Sequence, residues 1–221
     1  MTVEKAGYMK NSYLTASRLS ILIVTTYLSF TVLSLTRYPE PFSPLSNWLS
    51  DLGNRITSPD GSKYYNTGIF ITGFLLAIFF IALNHSRIKE RKAQSIVLTP
   101  TQAFGVLGAI AMIFTGIFSI DIPQTHSLFS AIFRICLGTA FGLSVAAFTY
   151  HKEVRKWILV IGIATTLTDL TASVLFNEIQ LLEWPVIFLF LTYCLLLGIE
   201  TNRLGQRRDR KPNPELATKE G

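Results

Sequence analysis

The charged residues of this chain are bunched, and the bunching constrains its fold more than any motif does. Between the clusters run long apolar stretches with few or no charges. A helix needs roughly 20 apolar residues to cross the hydrocarbon of a bilayer. Inside that hydrocarbon the backbone must satisfy its own hydrogen bonds, so such stretches are helical. Six spans are expected, at residues 19–36, 66–84, 102–120, 127–150, 157–176 and 184–201. Only 15% of the residues are charged and 49% are hydrophobic, where a soluble domain carries about 25% charged residues. The expected fold is an all-α integral membrane protein, one bundle of six transmembrane helices. Residues 1–18 form a polar lead, 19–201 the transmembrane domain, and 202–221 a basic, disordered tail. No small-residue cleavage site follows the first span, so it reads as a retained helix and not a signal peptide.

The cations give the expected orientation. Of the 20 Lys and Arg residues, 16 lie in the lead, the second loop, the fourth loop and the tail. In a six-span topology those four segments share one side. The positive-inside rule makes that side the cytoplasm, with both termini in it and the protein in the cell membrane. The loops 37–65, 121–126 and 177–183 then face outward. The net charge of +6 thus sets orientation and meets anionic headgroups, making membrane lipids the expected partners and not nucleic acid.

Both cysteines, Cys136 and Cys194, fall inside expected spans and read as buried thiols. Gly138 and Gly142 on the fourth span, and Gly108, Met112 and Gly116 on the third, make small-residue stripes. Such stripes let helices approach closely. Packing within one chain is the plain reading; a homo-oligomer through them is the alternative.

Two ionisable residues, Arg134 and Asp169, are read inside spans. Charges there face the bundle interior and pair. Arg134 is 8 residues past His126, so it lies about 12 Å below the outer end of its helix. Asp169 is 7 residues short of Phe176, about 10 Å below the same surface. An Arg134–Asp169 ion pair is therefore expected. His126, Ser130 and Arg134 recur at every fourth residue, as do Thr165, Asp169 and Ser173, so each set makes a polar stripe. The stripe on the fourth span starts in the short turn SIDIPQTHSLF, which is expected to keep Asp121 and His126 close in space. His85 and His151 fall at cytoplasmic helix ends and read as interfacial.

The first outer loop holds three early prolines, which exclude a regular helix there. After them SNWLSDLG reads as a short interfacial helix, capped by Ser46 and stopped at Gly53, covering the bundle mouth. Asp51, Asn54 and Asn66 would sit near that mouth. RITSPDGSK reads as a turn signal and nothing more.

Ser50-Asp51-Leu52-Gly53-Asn54 ahead of Asn66-Thr67-Gly68, then Gly116-Ile117-Phe118 followed by Asp121, Pro123 and His126, form a recurrent pattern. In these motifs the chain, over about residues 15–200, resembles a prokaryotic multi-pass membrane family catalogued as domain of unknown function 998. A more distant similarity to the Frag/DRAM/Sfk membrane family carries no function. The resemblance implies a six-span integral membrane protein with no settled activity.

No zinc-protease motif, nucleophile elbow or phosphate-cradling loop is present, and no cofactor is assigned. Three functions are weighed. A polar pocket in the outer half, made of Arg134, Asp169, Asn54, Asn66 and Ser130, would bind or translocate a lipid headgroup or small solute. Its inner half holds few polar groups, which counts against transport. Alternatively, a membrane-embedded enzyme would act on a lipid or isoprenoid, with His126 as general base and Asp121 or Asp51 as its orienter. The same three residues could also make a facial metal site. The third reading is a non-catalytic assembly partner, with its polar cluster satisfied from within.

Overall fold

The computed structural model describes residues 3–88, 90–175 and 180–209. It is all-helical, with no strand among the described residues. Six helices carry it: α1 Val3–Leu35, α2 Pro59–Ala82, α3 Lys92–Ile117, α4 Pro123–Thr149, α5 Lys156–Leu175 and α6 Glu183–Asp209. Each packs against its neighbours in sequence, and α6 closes back onto α1, so the helices form a ring. Five segments are long and apolar enough to cross a membrane: Thr15–Leu35, Pro59–Ser86, Lys92–Ile117, Pro123–Thr149 and Gln180–Arg207. The described part of α5 opens on Lys156 and carries Asp169, and it falls outside that set.

Several boundaries differ from the expected ones, among them the start of α3, at Lys92 and not at residue 102. Helix α1 reaches back to Val3, through most of the polar lead. Residues 55–57 of RITSPDGSK form a turn, but its Pro-Asp-Gly part starts α2: Pro59 occupies the first turn of the helix and Asp60 follows. Proline's fixed φ and missing N–H suit that position, and an acid there complements the helix dipole. Helix α6 continues to Asp209, so the basic tail begins as helix; the rest of the expected disordered tail lies outside the described residues.

Small residues set the helix spacing, as the stripes anticipated. A Cβ on Gly138 would overlap the Asp169 carboxylate, and one on Gly142 would lie 3.2 Å from Thr166 Cγ2. Gly108 faces the α4 backbone at Leu137, and Gly116 faces the α2 backbone at Asn66. All four approaches are within this chain. The buried centre is aromatic, with Phe79, Phe80, Phe141, Phe148 and Tyr193 among its largest side chains. Tyr193 is fully enclosed, and its hydroxyl meets Ser144 Oγ at 2.9 Å.

The first loop is built more tightly than an interfacial helix would be. Its regular part is a 3-10 turn, Leu49–Gly53. Ser46 does not cap it. Instead the Trp48 N–H donates to Asp51 Oδ2 at 2.8 Å, while Ser46 belongs to a preceding turn closed on Ser43. Leu49 and Leu52 are 2% and 0% exposed, so the turn is inserted into the helix ring. Ser34 Oγ donates to the carbonyls of Leu52 (3.2 Å) and Gly61 (2.9 Å), which fixes it to both α1 and the start of α2.

A cavity at the Asp51 end of the bundle

Every one of the six helices sends a side chain to a cavity of about 610 Å³ at the end of the bundle that carries Asp51. Tyr27, Tyr65 and Thr115 come from α1, α2 and α3. His126, Ser130 and Arg134 come from α4, Ala172 from α5, and Glu183 from α6. The inserted turn contributes Trp48 and Ser50. Apolar groups such as Ile69, Met112, Phe133 and Val186 complete the wall.

The polar stripe of α4 lines the cavity, its four-residue spacing keeping His126, Ser130 and Arg134 on one face of the helix. Arg134 closes its deep end. Its Nε lies 3.4 Å from Asp169 Oδ1, and an Nη donates to Ser173 Oγ at 3.0 Å. The expected ion pair is present, joined by a further residue of the α5 stripe. Asp169 is only 5% exposed and stands behind Arg134. A guanidinium has five N–H donors, so Arg134 retains donors for the cavity.

The turn between α3 and α4 answers a different need from the expected one. Asp121 does not orient His126. Its Oδ1 accepts from the Ser119 hydroxyl and from the Arg55 N–H (3.5 Å), while Arg55 Nη2 donates to the Ile117 carbonyl at 2.7 Å. Asp121 thus ties the first loop to the end of α3. Burial pushes its carboxyl up, but the Ser119 hydroxyl and the Arg55 N–H outweigh burial and hold it below the usual range. His126 Nδ1 meets the Phe118 carbonyl at 2.9 Å. A carbonyl only accepts, so Nδ1 carries the proton, and Nε2 is the ring nitrogen left to accept one.

The remaining candidates serve the inserted turn. Burial raises the Asp51 carboxyl above its ordinary range, against hydrogen bonds from Trp48 and Asn47. Asn54 Oδ1 accepts from the N–H groups of Ile56 and Thr57 at 2.9 and 3.1 Å. Asn66 Nδ2 donates to the Gly53 carbonyl at 2.9 Å. Neither asparagine lines the cavity. Among the described residues no three of His, Cys, Asp and Glu gather to hold a metal, so His126, Asp121 and Asp51 do not assemble a facial set.

Sequence reasoning missed Glu183. Its Oε2 accepts the Leu49 N–H at 2.6 Å, joining the first residue of α6 to the inserted turn. It also feels the charge of Arg134. An acid in the first turn of a helix is a visible signal, but its partner lies 134 positions away.

The opposite end is more polar than the sequence reading allowed. Glu200 is fully buried and held by Arg155 Nε at 2.7 Å and by Arg203. His151, expected at an interface, is 6% exposed and lies 3.5 Å from the Gln94 amide. A shortage of polar groups at that end therefore does not count against transport.

A family model described as "Protein of unknown function (DUF998)" matches residues 21–203. The chain belongs to the DUF998 family. The matched stretch runs from α1 to α6 and takes in the whole cavity wall. None of the curated proteins and none of the solved structures matches this DUF998 chain, and the Frag/DRAM/Sfk similarity is not shown.

Proposed function

We propose that this DUF998 protein spans the cell membrane six times, with both termini cytoplasmic. Its cavity opens toward the outer face and binds, or passes across the membrane, a lipid headgroup or small solute. One observation carries the reading: a cavity of about 610 Å³ with a partly paired arginine, Arg134, at its deep end. That volume falls among pockets that hold drug-sized ligands, roughly 300–1,000 Å³. The charge-paired cluster at the Glu200 end gives a second polar site of the kind a transport cycle needs.

The test is ligand-dependent thermal stabilisation of the purified protein, screened over headgroup analogues and small solutes. A true ligand raises the unfolding temperature of the wild type and not of Arg134→Gln. Stabilisation that is equal in both proteins removes Arg134 from the reading.

His126 supports a second reading, an enzyme acting on a lipid or isoprenoid. Its Nδ1 is fixed by Phe118, which leaves Nε2 as a base on a ring that borders the cavity. Full turnover by His126→Ala in any measured reaction would exclude it. An assembly role that needs only a self-satisfied polar cluster gains no support from a cavity of this size.

A further inference from the structure

The cavity wall holds one basic and one acidic side chain, Arg134 and Glu183, that do not pair with each other. Arg134 pairs with Asp169, and no ion pair links it to Glu183 among the described residues. Glu183 takes its hydrogen bond from a backbone N–H, and a carboxylate offers about four acceptor sites. Once Arg134 and Asp169 cancel, the cavity keeps an acidic group, Glu183, with no ion-pair partner among the described residues. A simple anion would leave that carboxyl without a partner. A simple cation would leave the donors of Arg134 without a partner.

The walls differ in the same sense. The rings of Trp48, Tyr27 and Tyr65 line the same cavity as Glu183, whose Oε2 accepts the N–H of Leu49, the residue next to Trp48. Aromatic faces beside a carboxylate favour ammonium groups, above all alkylated ones. On the α4 wall that carries Arg134, the hydroxyls of Ser127 and Ser130 also line the cavity, and they suit a phosphate or carboxylate.

From this we infer that the ligand is a zwitterion. Its anionic group sits on Arg134, Ser127 and Ser130, and its ammonium lies between Glu183 and the Trp48–Tyr27–Tyr65 wall. The inference rests on the binding reading above and names the chemical class for the same cavity. Two sources supply this chemistry: the headgroup of an amine-bearing phospholipid, or a free betaine or amino acid.

The test uses the full chain in detergent, with thermal shift and tryptophan fluorescence as readouts. Glycerophosphoethanolamine, glycerophosphocholine and glycine betaine are compared with glycerol phosphate, which lacks the amine, and with choline, which lacks the anion. At least one zwitterion is expected to bind about tenfold tighter than either half-ligand. Glu183→Gln keeps an acceptor for the Leu49 N–H and should lose that preference. Should it fail to fold, Trp48→Leu tests the same wall. Nanodiscs of phosphatidylethanolamine against phosphatidylglycerol then assign the source: protection by the former alone points to the lipid, and its absence beside betaine binding points to the free zwitterion.

Equal binding of glycerol phosphate, or an unchanged preference in both variants, would overturn the zwitterion and leave the binding reading intact. No binding by any probe, soluble or lipid, would overturn both.

Discussion

Asp169 fits against α4 because Gly138 has no side chain. A Cβ at that position would overlap Oδ2 of the carboxylate whose Oδ1 faces Arg134 at 3.4 Å. The small residue and the ion pair therefore form one unit. Gly138→Ala should cost about 1–3 kcal/mol, the usual penalty of overpacking. Asp169→Leu leaves Arg134 uncompensated and should cost about 3–5 kcal/mol, whereas Arg134→Met with Asp169→Leu should cost less than either single change. Thermal unfolding of the wild type, Gly138→Ala, both single changes of the pair and the double variant measures this. A double variant worse than both singles would show that the pair does not act as a unit.

Asp121 gives the sign of one pH effect. Its carboxyl is held below the ordinary range in the folded protein. Its contribution to stability is therefore present above the usual aspartate pKa of about 3.9 and lost as pH falls through the folded value. Unfolding followed from pH 6 down to pH 3 should show this loss in the wild type, and a smaller one in Asp121→Asn. Identical acid profiles would mean that the Ser119 and Arg55 contacts contribute nothing.

The helices and the charge pair were legible because both follow from period and depth. Apolar runs fix spans, and a residue number converts to a depth at 1.5 Å per residue. That conversion brought Arg134 to Asp169 across α4 and α5. The first loop was not legible in the same way. Its contacts join Ser34 to Gly61, Leu49 to Glu183 and Arg55 to Ile117. No periodicity encodes such pairs, so Asp51, Asn54 and Asn66 looked like ligand groups when they hold the turn. Glu200 escaped notice because it sits at the last turn of an apolar run, beside a basic tail that suggests solvent.

Gly53 is required for space and not for its backbone angles, since no described glycine has a positive φ. A Cβ there would overlap Asn66 Oδ1 and lie 3.0 Å from Tyr65 Cδ1. Gly53→Ala should displace the Asn66 amide from the Gly53 carbonyl and destabilise by roughly 1–3 kcal/mol. Residues in contact couple, so Gly53→Ala with Asn66→Ala should cost less than the sum of the singles. Faster proteolysis of the 37–58 loop in the single variants is the accompanying signature, and strict additivity would disconnect the two residues.

Two acids near the His151 end allow a contrast. Glu200 is fully buried between Arg155 and Arg203. Glu153 pairs with Arg207 at 3.1 Å, with the arginine side chain 56% exposed. Removing Glu200 strands two cations in a partly dry setting, so Glu200→Ala should cost about 3–5 kcal/mol. An exposed pair contributes only about 0–1 kcal/mol, and salt screens it, so Arg207→Ala should stay in that range. Unfolding in low and high salt separates the two, and equal losses would contradict the burial.

The crossing of α5 decides the topology. If all six helices cross, Ile122 and Leu181 lie on one face of the membrane and Gln206 on the other. A five-span insertion would put Leu181 on the opposite face from Ile122 and Gln206 with Ile122, and would separate Glu183 from the Leu49 N–H. Ile122, Leu181 and Gln206 are all exposed, so single cysteines there should label in a background without Cys136 and Cys194. In the proposed orientation Lys152 and the α6 end face the cytoplasm. Ile122→Cys and Leu181→Cys should therefore react with an impermeant maleimide in intact cells, and Lys152→Cys and Gln206→Cys only after permeabilisation. Labelling of Gln206→Cys in intact cells, with Leu181→Cys protected, would reduce the spans to five and move the C-terminus outside.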